Sequence, residues 1–238
     1  MKIGPENIKV LVACEESQEV CKAFRAHGFE AYSCDIVDPS GGHPEWHIKG
    51  DALKLINGSM FFETMDGNVH FVDKWDLIIA HPPCTYLTLA GNKWYKPEYR
   101  DRFPMREQQR EESITFFMQF VNAACEKIAI ENPVGIMSSR YRKPDQYIEP
   151  YFFGDPEKKK TGLWLKGLTL LKPTNIVDPI IIHCASGANE PMWHMETLKL
   201  PKEERSKVRS KTFSGIAKAM AEQWGEYILN EKNNEQYY

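Results

Sequence analysis

The sequence predicts an α/β protein with a doubly wound, mostly parallel sheet and one small irregular appendage. Three observations predict it. Short apolar runs recur without polar alternation, as at Val10-Leu11-Val12-Ala13, Leu77-Ile78-Ile79-Ala80 and Ile128-Ala129-Ile130; such runs read as strands covered on both faces. Between them, apolar residues fall at helical spacing. Finally, acids and a thiol stand just past the ends of the runs, where open α/β sheets collect ligands.

The elements follow in order. Residues 8–14 read as the first strand, ending at Cys14. Ser17 is placed to cap a helix that buries Val20, Ala23 and Phe24, and His27-Gly28 closes it. Residues 29–36 form the second strand, which ends in Asp35. Pro39 to Pro44 is a loop, and 47–49 is a short strand leading to Asp51. Residues 58–73 show no clear period. Leu77–Ala80 is a buried strand, stopped by Pro82-Pro83, which cannot donate ladder hydrogen bonds. The stretch 88–104 mixes Gly, Pro, Trp and Tyr with Lys93, Lys96, Arg100 and Arg102. It reads as an ordinary surface loop or as a mobile one that closes over a substrate. Residues 105–124 are a helix with Ile114, Phe117, Met118 and Val121 inward. Strands follow at 127–133 and 162–168. From 171 to 207, Pro173, Pro179, Pro191 and Pro201 break the pattern, so this stretch reads as the irregular appendage. Residues 1–170 and 208–238 make the main domain, closing with a helix over 214–229 and a polar, frayed tail over 230–238.

Composition bounds the function. The chain has 238 residues and a formal net charge of −3, as expected of a soluble globular domain. No run reaches the roughly 18 apolar residues of a membrane span. The first residues hold no apolar signal core, so export is not expected and a cytoplasmic setting is. The six cysteines form no Cys-x-x-Cys pair, which fits free thiols in a reducing compartment. His183, Cys184 and His194 match no standard metal spacing, so no metal site is expected. A Gly-x-Gly-x-x-Gly turn and a Walker-type lysine loop are both absent, which leaves NAD weakly supported and ATP without support.

Candidate site residues come from the strand ends. Cys84 stands on a stiff corner after Pro82-Pro83; alone it is either a buried thiol in a proline turn or a nucleophile. Glu131-Asn132-Pro133 repeats the grammar of apolar strand, polar residue and proline. An acid and a thiol on two strand ends make a nucleophile and proton-donor pair if they face one crevice. Asp35 is placed either to take ribose hydroxyls or to cap a turn, and Asp51 either to bind a ligand or to cap a helix. Basic patches lie at Arg140, Arg142 and Lys143 and at Lys158-Lys159-Lys160. Each is a solvated charge run by default and a phosphate contact if it lies near Cys84 and Glu131.

Taken together, Pro82-Pro83-Cys84 resembles the catalytic Pro-Cys motif of DNA cytosine-5 methyltransferases, and Glu131-Asn132-Pro133 resembles their Glu-Asn-Val/Pro motif, in the family's order. Phe153-Gly154-Asp155 through Gly167 is similar to the family's basic motif and following strand. Thr212-Phe213-Ser214-Gly215 is similar to its last cofactor motif. Short bacteriophage members are the nearest match. The family's Phe-x-Gly-x-Gly turn is replaced here by Ala13-Cys14-Glu15-Glu16-Ser17, and its Gln-x-Arg-x-Arg pattern is not intact.

The resemblance implies a Rossmann-like S-adenosylmethionine-dependent methyltransferase fold. It implies catalytic roles for Cys84, Glu131, Asn132 and Pro83, with Cys84 adding to cytosine C6. S-adenosylmethionine contacts would come from Cys14, Glu15, Glu16, Ser17, Asp35, Ile36, Asp51, Ala52, His81 and Pro82. DNA, single-stranded or in short sites, would be met by Lys93, Arg140, Arg142, Lys158 and Lys160. Two other functions fit the same residues. One is C5 transfer to a free pyrimidine nucleotide, or of a group other than methyl. The other is a non-catalytic module of the same fold acting as a decoy or regulator.

Overall fold

The structure is a computed structural model that describes residues 2–57, 60–183 and 189–235. β1 (Lys9–Ala13) leads through α1 (Glu19–Ala26) to β2 (Glu30–Asp35), and β3 (His47–Lys49) follows. A hairpin of β4 (Met60–Glu63) and β5 (Val69–Val72) precedes β6 (Leu77–Ala80), and α2 (Arg106–Val121) crosses to β7 (Ile128–Pro133). Then come α3 (Met137–Arg140), β8 (Gln146–Ile148), β9 (Thr161–Lys166), β10 (Ile181–His183), β11 (Asn189–Pro191), α4 (Met192–Leu198), α5 (Lys202–Ser210) and α6 (Ser214–Glu235).

Seven strands form one sheet in the order β3-β2-β1-β6-β7-β9-β8. All neighbours are parallel as far as β7, and β9 runs antiparallel to both β7 and β8. The product is a mixed α/β protein with a mostly parallel central sheet flanked by helices. Side-chain alternation divides β1 between two cores: Val10 and Val12 pack with α1 and α6 residues such as Phe24, Met220 and Trp224. Leu11 and Ala13 pack on the other face with Ile114, Phe117 and Phe120 of α2. Both faces are covered because the strands are apolar throughout.

Four local expectations are corrected. Ser17 does not cap α1. The cap position is Gln18, in the left-handed region at φ 59° and without a side-chain cap bond. The free first-turn amides are taken by Glu15, whose carboxylate accepts from Val20 N at 2.6 Å and Cys21 N at 3.2 Å. Gln18 keeps its strained backbone because its buried amide bonds Ser33 Oγ, His43 O and His43 N; surrounding structure over-determines it. On α2, the third fully inward side chain is Phe120, while Met118 and Val121 are only half-buried.

The stretch 171–207 is less irregular than its prolines imply. It carries the β10–β11 hairpin, α4 and the start of α5, and Pro191 and Pro201 stand at the cap positions of the two helices. A proline breaks a helix interior but suits its start. The polar tail is helical to Glu235 because the buried Asn233 side chain accepts from Ile3 N at 2.7 Å and donates to Ile3 O; residues 236–238 lie outside the description. No described helix is long and apolar enough to cross a membrane.

Candidate active site

The chain order of the sheet reverses between β1 and β6: β1 connects outward to β2, and β6 in the opposite direction to β7. A crevice opens past the carboxyl ends at such a point. Into it run Cys14 to Ser17 from β1 and His81 to Cys84 from β6. The two turns are fixed to each other, since His81 N donates to Ala13 O at 2.9 Å. Glu131 follows Ile130, the partner of Ala80, so it stands level with His81 on the adjacent strand.

The two resembling motifs are joined directly. The His81 Nδ1 and Glu131 Oε2 atoms lie 3.0 Å apart, with both side chains almost buried. Thr212 Oγ1 donates to the same carboxylate oxygen at 3.3 Å. Asn132 Nδ2 donates to Pro82 O at 2.8 Å, which holds the proline corner against β7. Cys84 lines a cavity of about 460 Å³ together with Glu15, His81 and Thr212. Glu131 therefore sits one hydrogen bond behind that wall, reached through His81 or Thr212. Thr212 is held there by its neighbours: Asp155 accepts from Gly215 N at 2.8 Å and from Ser214 Oγ, and binds the start of α6. Gly215 admits no side chain, because a Cβ would lie 2.0 Å from Phe153 O.

A second cavity of about 480 Å³ adjoins the first across Cys14, Asp35 and Pro83. Ile36, Ala52, Tyr86 and Phe116 give it apolar walls, and Asp35, Asp51 and Glu112 give it three carboxylates and no base. Asp51 also caps the following turn, accepting from Leu53 N at 3.0 Å, so capping and lining are not alternatives here. Of the expected cofactor contacts, Cys14, Asp35, Ile36, Asp51 and Ala52 line this second cavity, and Cys14, Glu15, Glu16, Ser17, Asp35 and His81 line the first. Pro82 lines neither.

Charge in the first cavity is strongly coupled. Burial would raise Glu131, but His81, Lys159 and the Thr212 hydroxyl outweigh it and hold the carboxyl below its ordinary range. Burial would lower His81, and Glu131 and Glu15 outweigh that too, so the imidazole is held protonated more firmly than usual. Glu15 is pushed up by burial to about 7, against the opposing pull of His81 and the amides of Val20 and Cys21. Burial also raises the Cys84 thiol, with Lys159 pulling it down and Glu131 adding to the rise.

The basic residues sort differently from the sequence reading. Lys158 and Lys160 are exposed, and Lys160 lies over the Tyr147 ring. Lys159, between them, is half-buried, donates to Arg209 O and Lys211 O, and pulls down the Cys84 and Glu131 proton affinities by its charge. Period-two alternation carries that signal, as it does in any extended strand. Lys93 is exposed over Trp94. Arg140 pairs with Glu111 through both nitrogens at 2.7 and 2.6 Å. Arg142 pairs with Asp145 at 2.7 Å and donates to Leu165 O. None of Lys93, Arg140, Arg142, Lys158 and Lys160 lines either cavity. The bases that do are Lys202, Arg205 and Arg209 of α5, a helix that the boundary drawn at 207 cut in two and hid. His183 bonds Asn189 and His194 bonds Glu190, while Cys184 lies outside the described residues.

No family model matches the chain, and no curated protein matches it. It is similar to a solved structure from E.coli described as a "putative DNA modification methyltransferase encoded within prophage", at 16% identity and a TM-score of 0.41, over 73% of this chain and 53% of that one. The chain thus spans about half the length of that structure.

Proposed function

We propose that this chain is a DNA cytosine-5 methyltransferase that uses S-adenosylmethionine and acts through a covalent bond from Cys84 to cytosine C6. One observation carries the reading: Cys84 and Glu131 come from separate motifs 47 residues apart, yet both stand at the carboxyl ends of adjacent parallel strands, joined through His81 beside one cavity.

The chain's residues fit this cofactor better than a dinucleotide. In nucleotide-binding folds the first helix presents free amides to a pyrophosphate. Here the Glu15 side chain already holds two of those amides, at Val20 and Cys21, so they are not free for a pyrophosphate. The adjoining cavity offers carboxylates and apolar walls without a base, which suits a cationic ligand without phosphates. Asp35 and Asp51 would hold its hydroxyls and amine, and Ile36 and Phe116 its ring. When bound, the cofactor supplies an electrophilic methyl group and a positive charge.

The protein's own part follows from the geometry. Cys84 loses its proton to water, helped by the Lys159 charge, and its sulfur adds to C6. The electron pair displaced from C5=C6 moves toward N3, and a proton must arrive there. His81 lines the cavity and Glu131 does not, so His81, held protonated by its pairing with Glu131, gives the proton to N3 and becomes neutral. C5 is then nucleophilic and takes the methyl group. Loss of the C5 proton to water, expulsion of the sulfur from C6 and return of the N3 proton to His81 restore the aromatic ring as neutral 5-methylcytosine. Asn132 keeps the proline corner, and with it Cys84, in register with Glu131.

The test is transfer of labelled methyl into DNA, followed by mass spectrometry of the digested bases. 5-Methylcytosine is expected from the native chain and none from Cys84→Ala. Absence of transfer to any DNA, with S-adenosylmethionine bound, removes the reading. A second reading keeps the chemistry and takes a free pyrimidine nucleotide as substrate; the bases of α5 at the cavity favour a substrate that carries phosphate in either case.

A further inference from the structure

The helix α5 has a face that the catalytic chemistry leaves unused. Lys202, Arg205, Ser206, Arg209 and Ser210 all line the Cys84 cavity. They recur at intervals of three and four residues, so they share one side of the helix. Among the described residues, none of the three bases forms an ion pair with a carboxylate. Arg205 donates to Leu200 O from one nitrogen, while its Nε is buried with no partner. Arg209 is fixed by Thr197 Oγ1 at 2.8 Å and His194 O at 3.1 Å. Arg205 and Arg209 stand four residues apart on one side of α5 and line the same cavity, and burial and the neighbouring Arg205 both disfavour the Arg209 charge.

The helix is also held in place from the catalytic side. Lys159, whose charge acts on Cys84 and Glu131, donates to Arg209 O at 2.9 Å and Lys211 O at 3.2 Å at the end of α5. Two adjacent, positioned guanidinium groups with an unpartnered donor are suited to bidentate capture of a phosphate.

We propose that this face of α5 binds the phosphate attached to the pyrimidine nucleotide that reacts at Cys84, with Arg205 and Arg209 as the anchoring pair and Lys202 at the rim. The proposal rests on the reading of Cys84 as the nucleophile for its orientation, and it adds that the substrate is recognised by its phosphate. The shared chemistry is a pyrimidine 5′- or 3′-phosphate ester, either free or within a strand.

The experiment measures binding, not turnover. Affinities of the intact chain are compared for deoxycytidine, dCMP, a short single-stranded oligonucleotide with one cytosine, and the same strand with that base removed. The expected result is that dCMP, the strand, or both bind at least about tenfold tighter than deoxycytidine, as expected for charge-assisted bonds. Arg205→Gln removes that advantage and lowers the salt dependence on the strand by about 0.7 in log–log slope per phosphate lost. Lys202→Gln is exposed and makes no other described bond, so it reports the same direction, more weakly, without risk to the fold. Lys207→Gln removes an equal charge from another side of the same helix and leaves affinity unchanged.

A gain on dCMP alone names the free nucleotide, and a gain on the strand alone names the nucleic acid. Equal affinity for deoxycytidine and both phosphate esters overturns the proposal, as does equal loss from Arg205→Gln and Lys207→Gln. Tight, Arg205-dependent binding of the base-free strand in a protein that transfers no methyl group keeps the phosphate site and removes the catalytic reading.

Discussion

The two cavities that meet at Cys14, Asp35 and Pro83 are built from opposite materials. One is apolar, lined by Asp35, Asp51 and Glu112 and by no base. The other has acids on its β1 side, a thiol and an imidazole on its β6 side, and the cations of α5 along one wall. Their common border is a rigid turn pair fixed by the His81 to Ala13 hydrogen bond. A shared wall between an acidic chamber and a partly basic one is what a transfer reaction needs when the donor is a cation and the acceptor carries phosphate. The difference teaches that charge, more than shape, assigns a ligand to each chamber, and substitutions that alter charge with little change in shape are the way to test it.

The largest effect is expected at the junction. Glu131→Gln keeps the shape and the Thr212 contact but removes the carboxylate that His81 needs. Transfer should fall by about 10²- to 10⁴-fold, the range for loss of a positioned acid or base. The His81 titration, followed by NMR, should move down because its main stabilising partner is gone. An unchanged His81 titration would separate the two side chains functionally. In the acidic chamber, Asp51→Asn, at a residue that lines that cavity alone, should weaken S-adenosylmethionine binding by about 10- to 100-fold, from the loss of hydrogen bonds to a charged group, with little change in binding of the phosphate ester. Equal loss of both ligands would erase the division between the chambers.

The smallest effect is a slope. The Glu15 carboxyl rises from 4.5 in the free group to about 7 in the folded chain. The folded state therefore binds the proton more tightly than the unfolded one. Folding stability from this group is greatest below about pH 4.5 and declines as pH climbs to about 7, then stays level. Glu15→Gln should remove that decline in melting temperature over the same interval while retaining an acceptor for a first-turn amide. A native-like slope in the variant would mean that another group titrates there.

Much of the fold was legible in the chain. The buried strands β1, β6 and β7 announce themselves as uninterrupted apolar runs, because a parallel sheet covered on both faces favours apolar residues at successive positions. Short strands such as β8 and the β4–β5 hairpin were not legible, since three or four residues establish no period. The helices α4 and α5 were hidden by prolines that read as breaks and in fact begin them. In the site, Cys84 and Glu131 could be named from their prolines, but the residues that set their charge could not. His81 was expected as a cofactor contact and pairs with Glu131. Lys159 was passed over for its neighbours, although alternation separates it from them.

The sequence by itself determined the strand ends and the residue types that stand on them, because a local apolar run and the proline that stops it are decided within a few positions. Only the tertiary structure decided which of those ends meet. The pairing of β6 with β7, the closure of Thr212 onto Glu131 across 81 residues, and the approach of α5 to the thiol all depend on long-range packing. Proton affinity and charge balance in a buried site are set by neighbours in space, and distance along the chain carries no information about them.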